Sequence, residues 1–121
     1  MGRTYTANNK SLEPFDVNSS GAEILGLLHK AIGKGLVKIT TPEQAKFWSD
    51  RCPCTAYIMT EDEAIECAEA LEKLDLVKFV QSVKDDGWHW EGLWGDTPEG
   101  LSEWVSAWAS WLKQSKGYEL Y

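Results

Sequence analysis

The sequence predicts a single-domain α+β fold, with four to five helices around a small sheet of short strands. Three observations predict it. Six of the seven tryptophans, Trp88, Trp90, Trp94, Trp104, Trp108 and Trp111, fall in one stretch of the chain, and tryptophan buries more apolar area than any other side chain, so the core is organised around them. Three Ser/Thr-x-x-Glu/Gln patterns, beginning at Ser20, Thr41 and Thr60, are capping boxes in which each side chain satisfies the other's free backbone N–H at a helix start. Short β-prone runs lie between helical patterns at 56–59 and after the last one at 118–121, which places strands and helices in one small unit. At 121 residues such a domain buries about 65% of the surface its unfolded chain would expose, enough for one continuous core.

Taken in order, residues 1–19 mix polar side chains with the anchors Tyr5, Leu12, Phe15 and Val17. A first strand over 3–6 fits, the alternative being that residues 1–19 are irregular. The Ser20 box opens a helix over 22–32, where Ile24, Leu27, Leu28, Ala31 and Ile32 share one face and Gly33 supplies a left-handed stop. Residues 36–39 read as a short strand or a connector. Thr41, with Pro42 at the first helical position, starts a helix that should run to about residue 51, with Ala45 and Trp48 among its buried residues and Pro53 ending it. A strand over 56–59 then feeds a helix over 61–74. There Ala64, Ile65, Cys67, Ala68, Leu71 and Leu74 gather opposite Asp62, Glu66, Glu69 and Lys73.

Residues 76–83 fit two periods. Val77, Phe79 and Val83 suit a strand, while Leu76, Phe79, Val80 and Val83 recur at helical spacing, and Asp75 in the cap position favours the helix. Asp85-Asp86-Gly87 reads as a turn and Trp88-His89-Trp90 as extended chain. Thr97-Pro98-Glu99 begins the last helix, whose Leu101, Trp104, Val105, Trp108, Ala109, Trp111 and Leu112 line one buried face. Gly117 is the expected stop, followed by a final strand over 118–121 that pairs into the sheet.

The net charge of −7 is concentrated in one place. Residues 1–60 hold seven Lys/Arg against five Asp/Glu, residues 61–103 hold three against thirteen, and residues 104–121 hold two against one. An acidic block of this kind repels nucleic acid and attracts a basic protein surface, with an attraction that salt weakens. The bland alternative is that acidic helix faces simply keep the chain soluble. No apolar run approaches the ~20 residues of a membrane helix, and Met1-Gly2-Arg3-Thr4-Tyr5 shows no secretory pattern. With an odd number of cysteines, Cys52, Cys54 and Cys67, a disulfide framework is not expected, and the chain reads as cytoplasmic with reduced thiols.

The order of signals resembles a loose set of small uncharacterised bacterial and phage proteins. Their middle helix has the form x-S/T-x-E-D-A-x-x-L-A-x-A-L-E, and they close on an aromatic helix followed by Gly-Gly-Phe-Glu-Ile. The matching residues here are Thr60, Glu63, Ala64, Cys67, Ala68, Ala70, Leu71 and Glu72, then Lys116-Gly117-Tyr118-Glu119-Leu120, with Asn18 preceding the first helix. This sequence departs from the set before the middle helix, where an Asn/Asp-Gly turn is replaced by Cys54-Thr55-Ala56-Tyr57. The resemblance covers about half the chain and implies an architecture, with no activity attached.

Chemistry-bearing residues are sparse. Cys52-Pro53-Cys54 is the sharpest cluster, but zinc sites want paired C-x2-4-C ligands with partners downstream, and His29 and His89 have no such spacing. No Gly-x-Gly-x-x-Gly or P-loop occurs, so no cofactor is expected and no catalytic residue is assigned. Trp104, Trp108 and Trp111 at helical spacing are core. Trp88, Trp90 and Trp94 lie in a glycine-punctuated acidic segment, where an aromatic patch rimmed by carboxylates would serve as a binding hot spot. The leading expectation is an interaction module of the antitoxin, immunity or inhibitor type. Its basic protein partner would meet a face made of Trp88, Trp90, Trp94, Glu66, Glu69, Glu91 and Asp96. Two alternatives are a small enzyme using His89 with nearby carboxylates, and a self-associating subunit that forms a homodimer through the C-terminal strand.

Overall fold

Strand β4 (Gly117–Leu120) ties the two ends of the chain together. In the computed structural model, which describes residues 3–49, 54–86 and 97–120, it lies inside a four-stranded antiparallel sheet. The other strands are β1 (Arg3–Ala7), β2 (Phe15–Val17) and β3 (Ile58–Thr60), and the spatial order is β2-β1-β4-β3. Tyr5 pairs with Leu120, Ala7 with Tyr118, and Met59 with Tyr118 from the other side. Because side chains alternate along a strand, this register sends Tyr5, Ala7, Met59 and Tyr118 into the core and leaves Ile58 and Glu119 on the opposite face. Both edges of β4 are occupied within the chain, so the homodimer expected through the C-terminal strand has no free edge to use there. The sheet's own edges are β2 and β3.

Five helices appear among the described residues: α1 (Ser19–Ile32), α2 (Pro42–Ser49), α3 (Glu61–Lys73), α4 (Leu76–Asp85) and α5 (Pro98–Ser115). The architecture is α+β as the sequence predicts, and the start of each helix has a local cause. Asn18 in extended backbone accepts the Gly21 N–H at 2.8 Å, so α1 opens at Ser19 and Ser20 falls inside its first turn rather than capping it. Thr60 closes a full capping box with Glu63, and Asp75 accepts the Lys78 N–H at 3.2 Å, which settles residues 76–83 as helix. Thr97 accepts from Gly100 N at 3.2 Å. At the other end of α5 two successive residues have positive φ, Lys116 (60°) at the cap and the expected Gly117 (91°) after it.

Two further expectations change. Residues 36–39 form no strand. Only Leu36 bridges Thr55, with Val37 N–H donating to the Cys54 carbonyl and Ala56 N–H to that of Gly35. Ala45 is exposed, as are the other residues at 42–46. Helix α2 starts on its Thr41–Gln44 cap, and the side chain of Trp48 lies outside the described residues.

The core is centred on Trp108, which is fully buried. Its ring meets Tyr5 edge-on at 4.9 Å and Phe15 at 5.0 Å, and stacks on Trp111 at 5.5 Å with a 9° interplanar angle. Aromatic pairs at these separations add about 0.5–1.5 kcal/mol each beyond the area they bury. Trp111 is buried as well, and its indole N–H reaches the Glu13 carbonyl at 2.8 Å. Trp104 is half-buried against Phe15.

Candidate interaction face and groove

Helix α3 positions the acidic side chains, because its apolar face is committed elsewhere. Ala64, Cys67, Ala68 and Leu71 are buried, which turns Asp62, Glu66 and Glu69 outward at helical spacing, all of them exposed. The three residues Glu61, Asp62 and Glu63 occupy the first turn, where the helix dipole favours negative charge. Glu63 is held below the usual carboxylate range by hydrogen bonds from the Thr60 backbone and side chain. The stripe also carries positive charge: Lys73 shares its exposed face, and Lys34 Nζ lies 3.7 Å from Glu66 with both side chains about half exposed or more. Such a pair contributes little to stability.

At the C-terminal end of α3 lies a groove with no counterpart in the sequence pattern. Helices α3, α4 and α5 meet there around a cavity of about 430 Å³, lined by Glu72, Asp75 and Glu99 together with Leu74, Leu76, Val77 and Pro98, and floored by Leu71 and Val105. No lysine or arginine is among the lining residues. Glu72 is paired with Lys113 from α5. One signal for the groove is present in the chain: Val77 is an apolar residue off the buried Phe79, Val80 and Val83 side of α4, and it is 66% exposed.

Of the residues the sequence nominates, Glu66 and Glu69 stand together on the exposed face of α3. Trp88, Trp90, Trp94, Glu91 and Asp96 lie outside the described residues, as do His89 and Cys52. Cys54 is half-buried, and its sulfur accepts from Arg3 Nη2 at 3.0 Å. Cys67 is buried, and burial first and the nearby Glu63 second push its thiol up to about 11. Among the described residues no three His, Cys, Asp or Glu side chains group closely enough to hold a metal ion. His29 is a core residue. Its Nδ1 meets the Lys34 carbonyl at 2.9 Å and its Nε2 accepts from Trp108 Nε1 at 3.1 Å, while burial lowers its pKa to about 4. No helix among the described residues is long and apolar enough to cross a membrane.

No protein-family model, curated protein or solved structure matches the chain.

Proposed function

We propose that the protein is an interaction module of the antitoxin, immunity or inhibitor type, acting in the cytoplasm, whose acidic face engages a basic surface on a partner protein. The observation that carries this reading is the exposure of Asp62, Glu66 and Glu69 on one face of α3, with Glu72, Asp75 and Glu99 around a groove at the end of that helix. Carboxylates at a rim steer a cationic partner and speed its encounter, while apolar side chains between them supply the area that holds it. Trp88, Trp90 and Trp94, with Glu91 and Asp96, belong to the same reading on sequence grounds alone. The same field disfavours nucleic acid, whose phosphates it repels.

The test is capture from a native lysate at low salt by the wild-type protein and by a Glu66→Lys/Glu69→Lys double variant. Both positions are exposed, so the fold tolerates the change. The reading expects at least one partner to be held by the wild type and lost from the variant. Capture that is the same for both proteins would overturn it.

A further inference from the structure

We infer that the groove between α3, α4 and α5 receives one amphipathic helix of the partner, apolar on the side it buries and lysine- or arginine-rich on its flanks. This rests on the acidic-face reading and specifies what that face binds.

Two features of the groove select the occupant. None of its lining residues lies in a strand: the groove is made by the end of α3, the extended link of Leu74 and Asp75, the first turn of α4 and the first two turns of α5, from Glu99 to Ser106. Asp75 and Thr97 cap free N–H groups at the starts of α4 and α5, and no sheet edge runs along the groove, so an extended peptide would find no ladder for its own backbone there. A helix brings its hydrogen bonds with it and asks only for an apolar seat. Leu74, Leu76 and Val77 supply that seat, and Ser102 and Ser106, exposed one turn apart on α5, keep that wall low.

Charge then selects the sequence on the incoming helix. Asp75 and Glu99 stand on opposite sides of the groove with no cation among the lining residues, and Glu72 beside them is paired with Lys113 of α5. Lysines or arginines flanking the apolar stripe would meet carboxylates on both sides, whereas an acidic helix would meet like charge. Two other large exposed apolar side chains among the described residues, Tyr57 and Ile58, line a site shared with Lys38 and Glu63, a setting of mixed sign that favours neither.

The probe is a blocked peptide of about four helical turns with leucines at i, i+3, i+4 and i+7 on an alanine and lysine background. It is titrated into isotopically labelled full-length protein and followed by amide chemical shifts. The result expected is saturable binding that moves Val77, Ser102 and Ser106, and that weakens about tenfold or more in Val77→Arg and Ser106→Arg. Both of those sites are exposed, and unchanged thermal melting confirms that each variant is folded. The peptide with a central proline, and the one with glutamate for lysine, should fail to bind. Equal binding of the proline peptide would overturn the helix, and indifference to both groove variants, or no binding at all, would overturn the groove. Loss of probe binding in Glu66→Lys/Glu69→Lys alone would sink the groove while leaving the acidic-face reading intact. Loss in the groove variants alone, with lysate capture indifferent to the double variant, would do the reverse.

Discussion

The indole N–H of Trp108 donates to Nε2 of His29 at 3.1 Å, and both side chains are fully buried. That bond leaves Nδ1 as the protonated nitrogen, donating to the Lys34 carbonyl at 2.9 Å, so one neutral imidazole links α5 to α1 and to the turn after it. Trp108→Phe removes the donor and opens a cavity, at an expected cost of about 3 kcal/mol, and His29→Leu strands the indole N–H at about 2 kcal/mol. Because each single change leaves the other partner unsatisfied, the double variant should be less destabilised than the sum by about 1–2 kcal/mol. Urea unfolding of the four proteins measures the coupling. Strict additivity would show that the bond contributes nothing.

His29 also sets a pH dependence. Its folded pKa is depressed to about 4 by burial, against about 6.5 in an unfolded chain. The unfolded state therefore binds more protons between these values, and stability rises with pH across that window. The contribution is complete above about pH 6.5 and lost progressively as pH falls towards about 4, to a total near 3 kcal/mol. Denaturation midpoints at several pH values, for wild type and His29→Gln, isolate it from the carboxylates. The variant should show a flatter profile over this range, and an identical slope would show that His29 is not the titrating group.

How much was legible depends on whether the cause was local. Caps at Thr60, Asp75 and Thr97 are read from adjacent residues, and each forms in the structure. At the first helix two local solutions competed, and Asn18 took the cap from Ser20 because its side chain reaches Gly21 N from outside the first turn. Residues 36–39 have strand-like side chains, but a strand also needs a partner of equal length, and only Leu36 found one. Helix α2 has the start signals of a buried helix and no buried side at 42–46. The His29–Trp108 bond joins residues 79 apart in sequence, and the groove is made by the meeting of three helices. Neither has a periodicity. For the groove, Val77 alone hinted at it, as an apolar residue on the wrong side of its helix.

Two glycines with similar backbone should respond differently to alanine. Gly33 (φ +70°) ends α1 with open space where a Cβ would stand, whereas at Gly35 (φ +73°) that atom would lie 2.5 Å from His29 Nδ1 and 2.8 Å from Met59 Cε. Gly33→Ala then costs only the left-handed penalty, about 1 kcal/mol. Gly35→Ala adds a displaced His29 to it, about 3 kcal/mol in all. Thermal melts rank the two, and equal shifts would mean that the turn after α1 relaxes freely.

The cysteines should separate by burial. Cys67 is 1% exposed with its thiol pushed up to about 11, so in folded protein at mildly alkaline pH it should resist alkylation until denaturant is added. Cys54 is partly accessible and should be labelled first. Peptide mapping after a short iodoacetamide pulse reads the order, and early modification of Cys67 would show that α3 opens from the core.

The claim that matters most is that the acidic face of α3 is a binding surface. A partner captured at low salt, purified and titrated against wild type and Glu66→Lys/Glu69→Lys at two ionic strengths, tests it most directly. The account predicts a Kd that weakens with salt for the wild type and is raised about tenfold or more by the double variant, with little salt dependence remaining. A partner that binds both proteins with the same affinity and the same salt response would contradict it.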